Sequence, residues 1–186
     1  VRWNPSVKPI RGRPPCPHPL IQQSIDPENP SPLELSSVMK PTILLVEDDE
    51  NDVFFMERAF GKASVPVEVR VARDGREALR YLHGEGKYAD RKQHPLPCVT
   101  LLDLNLPYVH GLEVLKQIRA EPGLRRLVVV VLTSSVADSD IEQAYELGAN
   151  SYLTKPNALE GFQELVELIG QYWLNNNRLT NSSFAE

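Results

Sequence analysis

The chain has 186 residues, 41% of them hydrophobic, with 20 Lys+Arg against 25 Asp+Glu for a formal charge of −5; this is enough for one ordinary domain with a core of its own. The longest clean apolar run, Leu127 to Leu132, falls far short of the roughly 18–20 residues a membrane span needs, and net acidity without a Lys/Arg cluster on any predicted helix argues against a nucleic-acid groove. Cys16 and Cys98 belong to no CxxC or Cys/His cluster, so neither a disulfide framework nor a zinc site is expected.

Nine of the 16 prolines lie in residues 1–40, in stretches such as Arg13-Pro14-Pro15-Cys16-Pro17-His18-Pro19. Such a segment cannot donate the hydrogen bonds of a helix or a sheet ladder, and it reads as a disordered, Pro-rich leader. It holds no apolar stretch of the roughly 7–15 residues that a signal peptide requires, so a cytoplasmic location is expected. The leader carries five basic and three acidic residues, which leaves 15 basic and 22 acidic for the rest. The acidity therefore belongs to the domain, residues 41–174.

From Pro41 onward, short β-branched runs alternate with helical periods, the pattern of βα units feeding a parallel sheet. In chain order the predicted elements are a strand Thr42 to Val46, a helix Asn51 to Lys62, a strand Val67 to Val71 and a helix Asp74 to His83. A long polar loop, Gly84 to Pro97, follows and is expected to stay out of the core. Then come a strand Cys98 to Leu102, a helix Gly111 to Ala120, a strand Leu127 to Leu132, a helix Asp138 to Leu147 and a strand Ser151 to Thr154. The last helix runs from Asn157 to about Leu174, its stripe formed by Leu159, Phe162, Leu165, Val166, Ile169 and Trp173 at spacings of three or four. The runs Ile43 to Val46 and Val128 to Val131 are apolar without alternation, as for central strands covered on both faces. Residues 175–186 form a polar tail too short for a second core, so no output or DNA-binding domain is expected and signalling must act through binding.

The polar residues fall at strand ends. Glu47-Asp48-Asp49 follows the first strand, Asp103 the third, Thr133-Ser134 the fourth and Lys155-Pro156 the fifth. In an open α/β sheet those carboxyl ends line one crevice, where ligands bind. Carboxylates gathered there repel by several kcal/mol at an effective dielectric of about 20, so a cation must neutralise them. An oxygen-only ligand set suits Mg²⁺ rather than zinc. Beside it, Lys155 and the Thr133 hydroxyl make a cradle for a phosphoryl group, and an Asp in that cradle can be its nucleophile. Taken singly, each residue has a plainer reading. Asp49, with Glu50 and Asp52, suits the cap and first turn of the following helix. Asp103 alone reads as a strand-ending turn residue and Lys155 as a solvated lysine. Convergence of four strand ends is what favours a site.

Four motifs in order carry a resemblance: Leu45-Val46-Glu47-Asp48-Asp49, Leu102-Asp103-Leu104-Asn105-Leu106-Pro107 with Gly111, Leu132-Thr133-Ser134, and Ala149 to Pro156. Together they resemble the receiver domain of two-component response regulators. The polar insert and the Gln171-Tyr172-Trp173-Leu174 ending resemble the stand-alone regulators that partner phytochrome-type histidine kinases. The resemblance implies a (βα)5 flavodoxin-like doubly wound parallel sheet of strand order 2-1-3-4-5. It implies that Asp103 accepts a phosphoryl group from a sensor histidine kinase, with Lys155 and Thr133 assisting. Mg²⁺ would be held by Asp48, Asp103 and the backbone carbonyl of Asn105, with Glu47 acting through water. It further implies a cis bond at Pro156, Tyr152 as an aromatic switch moving with Thr133, side chains near Asn105 and Ser135 setting the phosphoryl lifetime, and a homodimer. By residue chemistry alone Tyr172 and Trp173 serve a core and a dimer anchor equally well; the plainer and less favoured reading of Tyr152 is a tyrosine packed permanently with its hydroxyl at the rim.

Two other classes share part of this pattern. A haloacid-dehalogenase-type phosphatase also pairs an Asp nucleophile with Mg²⁺, but it wants its Asp-x-Asp pair after the first core strand and a substrate cap; here Asp103-Leu104-Asn105 follows the third strand. A phosphorylation-independent interaction module has no need of the site residues, all of which are present.

Overall fold

The computed structural model describes residues 40–63 and 66–177; all but the last residue of the predicted leader, and residues 178–186 of the tail, lie outside it. Five strands, β1 (Thr42–Val46), β2 (Glu68–Ala72), β3 (Val99–Leu102), β4 (Val128–Thr133) and β5 (Ser151–Thr154), alternate with five helices, α1 (Glu50–Lys62), α2 (Gly75–His83), α3 (Gly111–Ala120), α4 (Asp138–Glu146) and α5 (Leu159–Ile169). All strand pairs are parallel and the order is β2-β1-β3-β4-β5. The expected architecture is thus the observed one.

Every residue of β1, β3 and β4 is buried, while β2 and β5 at the edges are largely intermediate. The pleat sends alternate side chains to opposite faces. Ile43, Leu45, Leu101, Val130 and Leu132 pack under α1 and α5 with Val53, Met56, Phe162 and Ile169. Leu44, Val46, Leu102 and Val129 meet α2 and α3 through Ala78, Leu82, Val114, Leu115 and Ile118. Burying each such side chain contributes about 1.5–3 kcal/mol, which makes the sheet a rigid platform for whatever stands at its edge. The register pairs Val46 with both Ala72 and Leu102, Leu102 with Val131, and Thr133 with Thr154. The carboxyl ends of the strands therefore finish side by side.

Local chemistry sets the helix starts. Asp49 caps α1 by accepting from the backbone N–H of Asn51 (2.8 Å) and Asp52 (3.1 Å), the plainer of the readings its position allows. Asp74 does the same for α2 through Glu77 N–H at 2.7 Å, and Gly84 ends that helix in a left-handed conformation, φ 74°. His110 caps α3 through Nδ1 and Leu112 N–H at 3.3 Å.

The structure corrects four expectations. The final helix does not continue regularly to Leu174: Gly170–Asn176 widens into a π-helical segment, begun at a glycine whose small side chain permits the wider turn. Within it Trp173 packs against the core while Tyr172 is 59% exposed. The Lys155–Pro156 bond is trans, since no cis peptide occurs among the described residues; trans is the default of an X–Pro amide, and in that form the ring lies against the first turn of α5 at Gly161. Cys98 is disulfide-bonded, where a disulfide framework was not expected.

The fourth concerns the polar loop, which is built rather than merely solvated. Gly86–Tyr88 forms a 3-10 turn that drops Tyr88 into the core beside Tyr81 and His94, with ring centroids 5.1 Å from each. Arg91 ties the loop to α2 by donating to the carbonyls of Tyr81 (2.8 Å) and Leu82 (2.6 Å). Glu77 is the counterpart on α2: it accepts from the Tyr88 hydroxyl (2.6 Å), Lys87 Nζ (2.9 Å) and Arg73 N–H (2.9 Å). Burial works to raise its pKa, but hydrogen bonds from Arg73, Tyr88 and Lys87 outweigh it and hold the carboxyl at about 2. A depressed folded-state pKa means stability present above the ordinary value of 4.5 and lost as pH falls toward 2. Glu77→Gln should cost about 1.5–3 kcal/mol at pH 7, the worth of hydrogen bonds to a charged group. In urea titrations the gap between variant and wild type should shrink as the buffer is acidified below the ordinary carboxyl range. A gap of constant size would disprove the anchoring role.

Candidate functional site

The side-by-side strand ends deliver the sequence candidates to one pocket. Glu47 leaves β1 with its N–H on the Ala72 carbonyl (3.0 Å) and is 2% exposed. Its Oε1 accepts from Asp49 N–H at 3.1 Å. Asp103 leaves β3 held by its own N–H to the Val46 carbonyl (3.1 Å) and is 4% exposed. Its Oδ1 accepts from the N–H groups of Leu104 (2.6 Å) and Asn105 (3.2 Å), so the turn that follows the strand orients the carboxylate. Lys155 leaves β5 with its N–H on the Thr133 carbonyl (2.9 Å). Its ammonium reaches Glu47 Oε2 at 2.6 Å, Asp103 Oδ2 at 2.7 Å and Asp52 Oδ2 at 2.8 Å.

Burial dominates the electrostatics of this cluster. Loss of water pushes the Glu47 carboxyl up to about 7, against the lowering effect of Lys155. For Lys155, burial alone would lower the pKa, but hydrogen bonds to Asp103, Asp52 and Glu47 more than offset it and keep the ammonium above its ordinary range. Three carboxylates, those of Glu47, Asp52 and Asp103, thus face one lysine. Exposed Asp48 completes a second grouping: Glu47, Asp48 and Asp103 each offer a carboxylate oxygen, all within 4.8 Å of one another. An all-oxygen donor set with surplus negative charge fits a hard divalent cation such as Mg²⁺, which prefers carboxylates and keeps several waters. Asn105 is exposed at the mouth of the pocket, where the sequence reading placed a backbone ligand.

On the other flank, Thr133 is fully buried and its Oγ1 accepts from Ser135 N–H at 3.4 Å. Ser135 in turn donates its hydroxyl to Asp140 Oδ2 at 2.5 Å and offers its carbonyl to the Tyr152 hydroxyl at 3.1 Å. Tyr152 is half-buried against Leu104, Val131 and Ala144. Burial raises the pKa of its phenol, and the carboxylates of Asp140 and Asp103 add to that effect. Its hydroxyl is turned toward the β4–α4 loop.

Of the residues singled out at strand ends, the side chains of Glu47, Asp48, Asp103 and Lys155 are brought together; Thr133 flanks them, Asp49 is spent on capping, Ser134 is exposed and Pro156 lies against Gly161. Asp52 was missed as a site residue and assigned only to the first turn of α1. The available signal was its place three residues after the cap Asp49, in the helical turn that opens directly off the end of β1.

Known proteins resemble this chain in sequence and in fold. The family described as the response regulator receiver domain matches residues 43–167. The probable methanogenesis regulatory protein FilR2 of Methanothrix harundinacea is 43% identical over 139 residues, 73% of this chain and 85% of that protein. The response regulator Rcp1 of Synechocystis is 39% identical over 132 residues, 71% of this chain and 88% of that one; the crystal structure of the Mn(2+)-bound form of Rcp1 has a TM-score of 0.68 at 38% identity, covering 75% and 98% of the two chains. The phosphorylated cyanobacterial phytochrome response regulator RcpA has a TM-score of 0.71 at 40% identity, with 76% of this chain and 99% of that chain covered. Among the described residues no helix is long and apolar enough to cross a membrane.

Proposed function

This chain belongs to the response regulator receiver family, and from that premise we propose that it takes a phosphoryl group from the phosphohistidine of a sensor histidine kinase onto Asp103 and signals by reshaping its protein-binding surface. The observation that carries the reading is the setting of Asp103: Oδ1 is fixed by two backbone N–H groups and Oδ2 sits 2.7 Å from the Lys155 ammonium at the closed end of an acidic pocket. A carboxylate so oriented is a positioned nucleophile. In the transfer, an oxygen of Asp103 bonds to phosphorus as the phosphorus–nitrogen bond of the donor breaks. The departing imidazole nitrogen keeps the electron pair and takes a proton.

Mg²⁺, held by Asp48 and Asp103 with Glu47 behind it, would supply neutralisation of the charge gathered on the transferring oxygens. Lys155, 2.7 Å from Asp103 Oδ2, would donate to a phosphoryl oxygen. Thr133 gives the arriving group, which adds about −1.5 to −2 charge, a hydroxyl partner. As Thr133 turns to the phosphoryl group, Ser135 two residues on must follow. The bond from Tyr152 to the Ser135 carbonyl then transmits the motion to the α4–β5–α5 face. The partner proposed is a kinase of the phytochrome type, supported by the 40% identity to RcpA. Exposed Leu168 and Tyr172 give the last helix a flank that a second copy of the chain would cover. The protein turns over only itself, forming and losing its own phosphoryl group.

Incubation with Mg²⁺ and either acetyl phosphate or a phosphorylated histidine kinase, followed by intact mass and borohydride trapping, tests the reading. A labile, Mg²⁺-dependent adduct trapped at Asp103 is expected. An intact fold with no adduct from either donor would leave a binding module that works without phosphorylation.

A further inference from the structure

The Lys155 ammonium pairs with three carboxylates at 2.6, 2.7 and 2.8 Å, as many partners as it has N–H bonds to donate. Those partners have different fates when the site is used. Glu47 and Asp103 belong to the oxygen cluster that would hold a divalent cation, and Asp103 also receives the phosphoryl group; Asp52 is in neither role. It stands on the first turn of α1, a helix fixed by the Asp49 cap and by Val53, Met56 and Phe60 in the core. Its side chain is 26% exposed, whereas its neighbours Glu50 and Asn51 face solvent. A carboxylate serving only the positive end of a helix gains from water and has no need of a buried lysine.

We infer that Asp52 is the positioning residue of the site, holding the Lys155 ammonium beside Asp103 once Glu47 and Asp103 are drawn away by cation and phosphoryl group. The inference rests on the phosphoacceptor reading and deepens it. Lysine is a point charge on a flexible stem of four carbons. Without a fixed partner outside the reacting groups it would follow Glu47, the nearest carboxylate left, and lose its aim at the phosphoryl oxygens.

The sign of one substitution separates positioning from simple charge. Asp52→Asn removes a negative charge from a pocket that must admit an anion, so on electrostatics alone phosphorylation should become faster. If Asp52 positions Lys155, phosphorylation slows, by about tenfold or more, since an ångström of misplacement can cost a hundredfold. The experiment measures three quantities on wild type, Asp52→Asn and Asp52→Glu: the rate of phosphorylation by acetyl phosphate with Mg²⁺, the affinity for Mg²⁺ alone, and the affinity for beryllofluoride, a phosphoryl mimic, at saturating Mg²⁺. Asp52→Asn should phosphorylate slowly and bind beryllofluoride at least tenfold more weakly, with Mg²⁺ affinity changed less than threefold; Asp52→Glu should recover part of both losses. In a Lys155→Ala background, Asp52→Asn should have no further effect on beryllofluoride affinity. Wild type that forms no adduct overturns the phosphoacceptor reading itself. Wild type that does, with Asp52→Asn as fast or faster and beryllofluoride bound equally well, overturns the role given to Asp52 alone.

Discussion

Asp103→Asn is expected to abolish the phosphoryl adduct while making the Mg²⁺-free protein more stable. Asn keeps the shape of the side chain and, through its amide oxygen, the acceptor for the N–H groups of Leu104 and Asn105. It gives up a charge that sits among three other carboxylates and one ammonium. The contribution of Asp103 to raising the pKa of Glu47 is a direct sign of that repulsion. Three repulsions set against one lost attraction to Lys155, each pair worth about 4 kcal/mol at about 4 Å and an effective dielectric near 20, leave a net gain of the order of a few kcal/mol. A functional site whose charges are strained in the resting state is where a loss of activity and a gain in stability go together. Mg²⁺ should reverse the order, because a ligand that binds only the folded state stabilises by an amount set by its affinity, and the variant has lost one carboxylate ligand. Urea midpoints of both proteins with and without Mg²⁺ measure this. A variant less stable than wild type in Mg²⁺-free buffer would show that the Lys155–Asp103 pair outweighs the crowding.

The same crowding explains which parts of the site could be read from the chain. Glu47, Asp48, Asp103, Thr133 and Lys155 were legible because each follows an apolar run, and parallel strands have only one edge at which their carboxyl ends can meet. Asp52 follows no strand. On a helix an acid in the first turn is accounted for by the dipole, and only the path of Lys155 from β5 distinguishes it. The fold divides in a similar way. Strands β1 and β5 were bounded as expected, while β2 and β4 each lie one residue further on, Glu68–Ala72 against an expected Val67 to Val71 and Val128–Thr133 against Leu127 to Leu132, because Val67 and Leu127 continue the apolar run without joining the ladder. The loop from Gly84 to Pro97 was misjudged because composition averages over it. Tyr88 and Arg91 each combine an apolar body with a polar tip, so they bury the one and satisfy the other on Glu77 and the end of α2. Another contact invisible to pattern is Arg119, which leaves α3 to bond the carbonyls of Gly148 (2.9 Å) and Leu127 (3.0 Å) and the Asn150 side chain (3.0 Å), tying together the turns around β4 and β5.

Gly111→Ala should damage both fold and chemistry although the residue carries no functional group. A Cβ at position 111 would lie 2.1 Å from the Asp103 carbonyl oxygen and 2.7 Å from the Leu104 Cα, and both obstacles are backbone. The glycine N–H also donates to the Leu104 carbonyl at 2.9 Å, so the start of α3 is drawn tight against the turn that leaves β3. Backbone cannot rotate aside as the tip of a side chain can, so the turn as a whole must shift. Overpacking of this kind costs about 1–3 kcal/mol, and more where a backbone atom is the obstacle. The residues displaced are Asp103 to Asn105, whose N–H groups orient the carboxylate proposed to receive the phosphoryl group. A displacement of the order of an ångström there should slow phosphorylation by acetyl phosphate about a hundredfold, well beyond what the population of unfolded protein explains. Comparing the rate per folded molecule with the urea midpoint separates the two losses. A variant that is destabilised but phosphorylates normally once folded would mean that the turn relaxes away from Asp103, and that Gly111 serves packing alone.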